Sequence, residues 1–193
     1  MILSCSPRLG GNSDDAAEIV LEAATTAGRP ITPTVTYLRE YTVFPCTGCN
    51  WCAASPGQCP LREKDDSKQL FEMLLNEREL VLISPIYFYH LPAHLKALVD
   101  RSQTYWNMQR KVQHPVRPSR KAHVILIGGR KQGAELFKGS LLTCRYWLSL
   151  FGFEIAEPLV IYGVDERGDL MRNETLRQGV ASYACAVYAG DQP

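Results

Sequence analysis

Cys46, Cys49, Cys52 and Cys59 fall in one short segment with the spacing C-x2-C-x2-C-x6-C. Three thiols at such intervals let one tight turn face a single centre, and Pro56-Gly57 turns the chain back to bring the fourth. Four thiolates are the complement of a [4Fe–4S] cluster or of tetrahedral zinc. Zinc ribbons usually separate two C-x2-C pairs by about a dozen residues or more, whereas a compact C-x2-C-x2-C run is closer to ferredoxin practice. The segment contains no His to suggest a mixed zinc site. The remaining cysteines, Cys5, Cys144 and Cys185, are singletons. Cys144 and Cys185 are expected to pack in helices as small apolar residues, and Cys5 ends a strand. The total of seven is odd and clustered, which in a reducing compartment reads as a metal or redox site rather than a disulfide framework.

Three further loops have the composition of ligand-binding turns. Ser4-Cys5-Ser6-Pro7-Arg8-Leu9-Gly10-Gly11-Asn12-Ser13 runs from a strand into a helix. Free amides there, with Ser and Asn side chains and one Arg, can surround a phosphate or simply cap the helix. Asp14 and Asp15 suit the helix dipole but repel a phosphate, so their carboxylates are expected to point away from it. The loop lacks both GxGxxG and GxxxxGK[ST], which argues against a Rossmann dinucleotide site and a nucleotide triphosphatase. Ser84-Pro85-Ile86-Tyr87-Phe88-Tyr89-His90 carries three consecutive aromatics that can flank a flat ring or cap the sheet end. Gly128-Gly129-Arg130-Lys131-Gln132-Gly133 lets backbone approach a ligand closely.

The elements that must hold these loops alternate along the chain. Short apolar runs at 1–5, 34–38, 79–83, 122–127 and 159–162 read as strands. Between them the period changes to three and four, as at Ala16, Ile19, Val20, Ala23, Ala24 and Ala27, where a helix stops at Gly28 and Pro30. Further helices are expected over 68–76, 93–105, 134–151 and 173–188. Near-continuously apolar strands alternating with helices require a parallel sheet covered on both faces, so a five-stranded doubly wound α/β fold is expected. In such sheets ligands sit beyond the carboxyl ends of the strands. The three loops end strands one, three and four, and so belong on one rim.

The chain has 193 residues, 46% of them hydrophobic, with 21 Lys+Arg against 20 Asp+Glu. That suffices for a core without staples and excludes a disordered or fibrous chain. No apolar run reaches the roughly 18 residues of a membrane span, and Met1 to Pro7 has no features of a signal peptide. A single domain over 1–193, with 45–66 as a cysteine-rich insertion, and a cytoplasmic protein without a membrane partner are expected.

The loops also resemble a family. Ser4-x-Ser6-Pro7-Arg8-x-x-Gly11-Asn12-Ser13 is similar to the phosphate loop of flavodoxin-like FMN reductases, and Ser84-Pro85-Ile86-Tyr87-Phe88 resembles their isoalloxazine loop. Lys96-Ala97-Leu98-Val99-Asp100-Arg101 is similar to the helix that follows it there. At all four clustered cysteines the sequence resembles the iron–sulfur flavoproteins. The resemblance implies strand order 2-1-3-4-5 and bound FMN. Carried over, Ser4, Ser6, Arg8, Asn12 and Ser13 would hold the phosphate, Pro85, Ile86, Tyr87 and Phe88 would line the ring, and Gly128 with Gly129 would close over it. Cys5 stands where the family usually has Gly. Cys46, Cys49, Cys52 and Cys59 would ligate a [4Fe–4S] cluster. The implied protein is a homo-oligomer, dimer or tetramer, that passes electrons between a ferredoxin-type or NAD(P)H donor and an acceptor.

Two alternatives stay open: a cluster-free NAD(P)H-dependent FMN or quinone reductase, and a non-catalytic electron carrier or zinc-stabilised interaction module. From Arg101 to Ala134 the chain carries eight Lys or Arg and no Asp or Glu. That stretch reads either as a surface steering an acidic carrier or NAD(P)H, or as a solvated loop containing Pro115 and Pro118. It has no nucleic-acid reader motif, so no nucleic-acid partner is expected. His90, His94, His114 and His123 show no ligand spacing.

Overall fold

A computed structural model describes residues 1–28, 33–111 and 120–189. Its apolar runs form a parallel sheet of β1 (Ile2–Ser4), β2 (Val35–Tyr37), β3 (Glu79–Pro85), β4 (Arg120–Gly128), β5 (Phe153–Ile155) and β6 (Leu159–Tyr162). The order is β2-β1-β3-β4-β5, with β6 also paired to β4. This is the expected 2-1-3-4-5 order, except that two short strands share the last position. β5 pairs with the start of β4, Arg120 opposite Phe153, and β6 with its end, Ile125 opposite Leu159. The sequence reading missed β5 because three residues after Gly152 are too few to show a period.

The helices in chain order are α1 (Asn12–Thr26), α2 (Trp51–Ala54), α3 (Ser67–Asn76), α4 (Ala93–Arg101), α5 (Gln103–Lys111), α6 (Lys138–Ser149), α7 (Asp169–Arg172) and α8 (Glu174–Ala189). Successive strand residues serve opposite faces, as the pleat dictates. Leu3, Leu80, Leu82, Val124 and Leu126 join Leu70, Leu74, Leu95, Leu98, Trp147 and Leu148 in one core. Ile2, Val81, Ile83, Ile125 and Ile127 join Ala16, Val20, Ala24, Val180 and Ala184 in the other. Helices α3, α4 and α6 therefore cover one face, and α1 with α8 the other. The alanines of α1 let that helix lie close against the strands.

One helix was expected over 93–105, and two are found. Ser102 donates its hydroxyl to the Val99 carbonyl at 2.6 Å, a local bond that competes with continued helix. The chain then restarts as α5 and runs to Lys111. Helix α6 starts at Lys138 rather than 134, after a turn that buries Leu136 and Phe137. Cys5 and Cys144 are buried as small core residues, whereas Cys185 is exposed on α8, against expectation. Its position faces away from the stripe of Val180, Ala184 and Val187 that packs on the sheet. Pro30, His114, Pro115, Arg117 and Pro118 lie outside the described residues. Among the described residues no helix is long and apolar enough to cross a membrane.

Leu82 is fully buried at the centre of β3. Leu82→Ala is expected to lower stability by about 2–5 kcal/mol through lost burial and the cavity left behind. A urea unfolding series on the two proteins checks this.

Candidate functional site

Parallel pairing of β1 with β3 and of β3 with β4 brings their carboxyl ends, Ser4, Pro85 and Gly128, to one rim. The loop after β1 is organised from within by Asp14. Its carboxylate accepts the Ser4 hydroxyl at 3.0 Å, the Gly10 amide at 2.8 Å and the Arg39 guanidinium at 2.9 Å. The negative charge is thus turned inward, as expected, while the first amides of α1 keep no intrahelical acceptor. Ser6 accepts the Arg8 amide at 3.1 Å and closes the next turn.

Between this loop and the one after β3 lies an open cleft lined by Ser6, Arg8, Gly11, Asn12, Ser13, Pro85, Ile86, Tyr87, Ile127, Val164 and Asp165. The structure therefore gathers seven of the predicted residues, from two loops more than seventy positions apart: Ser6, Arg8, Asn12, Ser13, Pro85, Ile86 and Tyr87. Ser4 is not among the lining residues; it is fully buried beneath them on Asp14. Phe88 points into solvent, 99% exposed, in a turn where Phe88 and Tyr89 both adopt positive φ and Tyr87 bridges His90. Arg130 donates to the Tyr89 hydroxyl, tying the third rim loop to this turn. Gly128 and Gly129 sit behind the cleft wall. A Cβ on Gly128 would meet the Leu136 side chain at 2.8 Å, and one on Gly129 would meet Asp165 at 3.1 Å. Their role in the structure is close backbone approach.

Sequence reasoning missed the fourth wall, Val164 and Asp165. Arg8 donates to the Asp165 carbonyl at 2.8 Å and Asn12 to the Glu166 carbonyl at 2.8 Å, while the Leu170 amide donates back to Asn12 at 3.1 Å. Asp169 accepts the Asp165 and Glu166 amides and the Arg172 guanidinium, which together hold its carboxyl below the usual range. Nothing local marks the turn after β6, because its partners Arg8 and Asn12 lie more than 150 residues away.

These observations test whether a flavin mononucleotide would fit. Helix amides, Ser6, Ser13 and the guanidinium of Arg8 suit a phosphate, and the apolar stretch from Pro85 to Tyr87 with Ile127 suits a flat ring. The residues that line the cleft fit such a group in their chemistry. The cysteine segment is different. Its donor set, four unpaired thiols, fits a cluster in kind and number, with Cys46 and Cys49 exposed and Cys52 and Cys59 half-buried. Their placement does not, since among the described residues no three His, Cys, Asp or Glu side chains converge to hold a metal ion. Cys52 accepts the Asn107 amide nitrogen at 3.2 Å instead.

Three members of the basic stretch are drawn to partners, while Arg110 and Lys111 stay exposed on α5. Arg101 is buried on Asp65, Arg120 donates to the carbonyls of Leu75 and Phe151, and Lys121 pairs with Glu154 at 2.7 Å. Of the described members, Arg130 and Lys131 belong to the rim.

The family model described as flavodoxin-like fold matches residues 1–185. The chain belongs to the flavodoxin-like fold family. Within that fold, an iron-sulfur flavoprotein of Methanocaldococcus jannaschii is 34% identical over 101 residues, covering 52% of this chain and 50% of the relative. The chain thus spans about half the length of that relative. An iron-sulfur flavoprotein of Methanosarcina thermophila is 26% identical over 150 residues, covering 78% of this chain and 72% of its own. An FMN-dependent NADH-azoreductase from Bacillus anthracis, solved in complex with FMN, shares the flavodoxin-like fold at TM-score 0.59 and 15% identity, with 97% and 98% of the two chains covered.

Burial pushes the Cys144 thiol up to about 12 and raises Cys5 well above its ordinary value, with Cys144 nearby adding to the effect. Both stay protonated at pH 8, and the thiolate is the nucleophile. Iodoacetamide at pH 8 is therefore expected to label Cys46 and Cys49 in the native protein and spare Cys5 and Cys144 until denaturant is added, as peptide mass mapping would read out.

Proposed function

We propose that the chain is a flavin-dependent oxidoreductase that binds FMN in the rim cleft and exchanges electrons with an NAD(P)H or ferredoxin-type donor. The observation that carries this reading is the single cleft that joins a helix N-terminus bearing Ser6, Arg8 and Ser13 to the apolar wall of Pro85, Ile86 and Tyr87. Membership of the flavodoxin-like family and likeness to iron-sulfur flavoproteins support it. FMN supplies one- and two-electron redox chemistry when bound, and the protein supplies position and electrostatics.

Each residue then has a task. Ser6, Ser13, Arg8 and the α1 amides bind the phosphate. Asn12 orients the 166–170 turn against the cofactor, and Ser4 acts at one remove by fixing Asp14. Pro85, Ile86, Tyr87 and Ile127 shield the ring from water on one side. Gly128 and Gly129 leave the β4 end bare, so that Leu136 and Asp165 pack close against it. Phe88 stands outside the cleft, exposed on its positive-φ turn.

For the cysteine segment the reading is a [4Fe–4S] site formed when Cys46, Cys49, Cys52 and Cys59 close on the cluster, supported by the compact spacing and the iron-sulfur relatives. The separation of the thiols favours a second reading, a cluster-free NAD(P)H-dependent FMN or quinone reductase. Iron and acid-labile sulfide analysis of anaerobically prepared protein separates the two: stoichiometric iron and sulfide support the first, and flavin reduction by NAD(P)H without iron supports the second.

Freshly purified protein, reconstituted with FMN, is expected to show flavin bands in its visible spectrum. A colourless protein that takes up no FMN would sink the proposal. Removal of a charged phosphate contact costs about 1.5–3 kcal/mol, so Arg8→Ala is expected to weaken FMN by roughly 10- to 100-fold. Lumiflavin, which has no phosphate, is expected to bind equally to both proteins in the same fluorescence titration.

A further inference from the structure

Both ends of the cysteine segment meet at one buried ion pair. The Asp65 carboxylate, which follows Cys59, has no exposed surface, and the Arg101 side chain at the end of α4 is 2% exposed. Asp65 accepts the Phe44 amide at 2.8 Å and the Ser67 amide and hydroxyl at 3.1 and 2.7 Å, besides the guanidinium. Arg101 also donates to the Phe44 carbonyl at 3.1 Å and to the Ser67 hydroxyl oxygen at 2.9 Å. Phe44 and Asp65 stand 21 residues apart and are drawn together on the same two charged groups. A second rung lies beside them, where the Thr42 amide donates to the Asp66 carboxylate at 2.7 Å and the Asp66 amide to the Thr42 carbonyl at 2.9 Å.

The residues between these rungs are tied to the body mainly at its surface, where Arg62 pairs with Glu72 at 3.7 Å and Glu63 with Lys68 at 3.2 Å, both partners on α3. Their backbone bonds include the short turns Ser55 to Trp51, Gln58 to Ser55, Arg62 to Cys59 and Lys64 to Leu61. Their contacts with the rest of the fold include Asn107 on Cys52 and Met108 on Gly57, both from α5. Helix α5 itself follows Arg101 after one residue. Helix α4 begins at Ala93, shortly after the Pro85 to Tyr87 wall of the cleft, and ends on Arg101. One nine-residue helix therefore runs from the cleft to the pair.

We propose that Asp65 and Arg101 form a clasp that sets the place of the cysteine segment relative to the rim cleft, with Arg101 as the positioning residue. The meaning of that place rests on the FMN and cluster reading above; the clasp itself does not. A guanidinium suits the pair because one terminal nitrogen reaches Asp65 and the Phe44 carbonyl while the other reaches Ser67, and an ammonium offers its donors from a single point.

Arg101→Lys keeps the charge and removes the fork, and Asp65→Asn keeps the shape and removes the charge. Each is purified beside wild type and beside Asp66→Asn, which loosens only the outer rung. The expected result is FMN affinity within about twofold of wild type. Trypsin cleavage at Arg62 and Lys64 rises about tenfold, because the stem opens without global unfolding. Iron taken up per bound FMN on anaerobic reconstitution falls in the two clasp variants more than in Asp66→Asn. Cleavage and iron uptake unchanged in folded variants would overturn the clasp. Loss of FMN in step with cleavage in both variants would overturn the positioning role and leave a merely structural pair. If wild type binds no FMN or takes up no iron, the corresponding part of the functional reading falls, and the cleavage rates still decide the clasp.

Discussion

Parallel strand pairing with both faces covered is the constraint on which the rest depends. A parallel strand cannot return through a hairpin, so each connection between neighbouring positions in the sheet crosses it through a helix and re-enters at the same end, β5 and β6 sharing one position. All strand termini of one polarity then share a rim, and β1, β3 and β4, adjacent in the sheet, deliver Ser4, Pro85 and Gly128 side by side. The cleft is a consequence of that geometry. Its walls are loops that have no sequence proximity, held by strands whose central residues, such as Leu82, Ile83, Val124 and Ile125, are fully enclosed.

Buried charge then shapes the loops that the sheet delivers. Asp14 and Asp65 each draw in donors from separate parts of the chain, Arg39 in one case and Arg101 in the other. Burial by itself would raise the Asp65 carboxyl, but bonds from Ser67, Arg101 and the Phe44 amide hold it below its usual range. The pair is therefore ionised in the folded state above the carboxylate range. Its contribution to stability is present at neutral pH and is lost as the pH falls through the lowered value. Such pairs add little net stability compared with apolar packing, yet they punish any rearrangement that parts them. At both sites they fix a loop whose own backbone bonds are few.

The two candidate centres differ in how ready they are. The rim cleft is assembled from rigid element ends, and its anion side needs only the amides and side chains already in place. The thiols lie on a segment whose bonds are mostly short-range and which leans on α5 through Asn107 and Met108. A four-thiolate centre draws its own ligands together, because ligation and local folding are coupled. The clasp supplies the stem from which such closure can proceed, and α4 relates that stem to the cleft.

Much of this was legible in the amino-acid sequence. Apolar runs alternating with periods of three and four determine a doubly wound sheet, and Ser, Pro and Gly after three of the strands mark the rim. Ser6, Arg8, Asn12, Ser13, Pro85, Ile86 and Tyr87 could be named because two short loop sequences resemble those of flavodoxin-like FMN reductases, and the cleft brings them together. The missed features all depend on contacts between distant residues. β5 pairs as a strand against Arg120 to Ala122, and Asp165 packs closely against Gly129, where a side chain would crowd it. The run of basic residues from Arg101 to Lys131 reads in sequence as either a steering surface or a solvated loop, but folding sends Arg101 to Asp65 and Arg120 to backbone carbonyls. Local spacing thus determined which residues could do chemistry. Which charges stay free, and which loops meet, was decided by the tertiary structure, because burial and partner distance are properties of the packed chain alone.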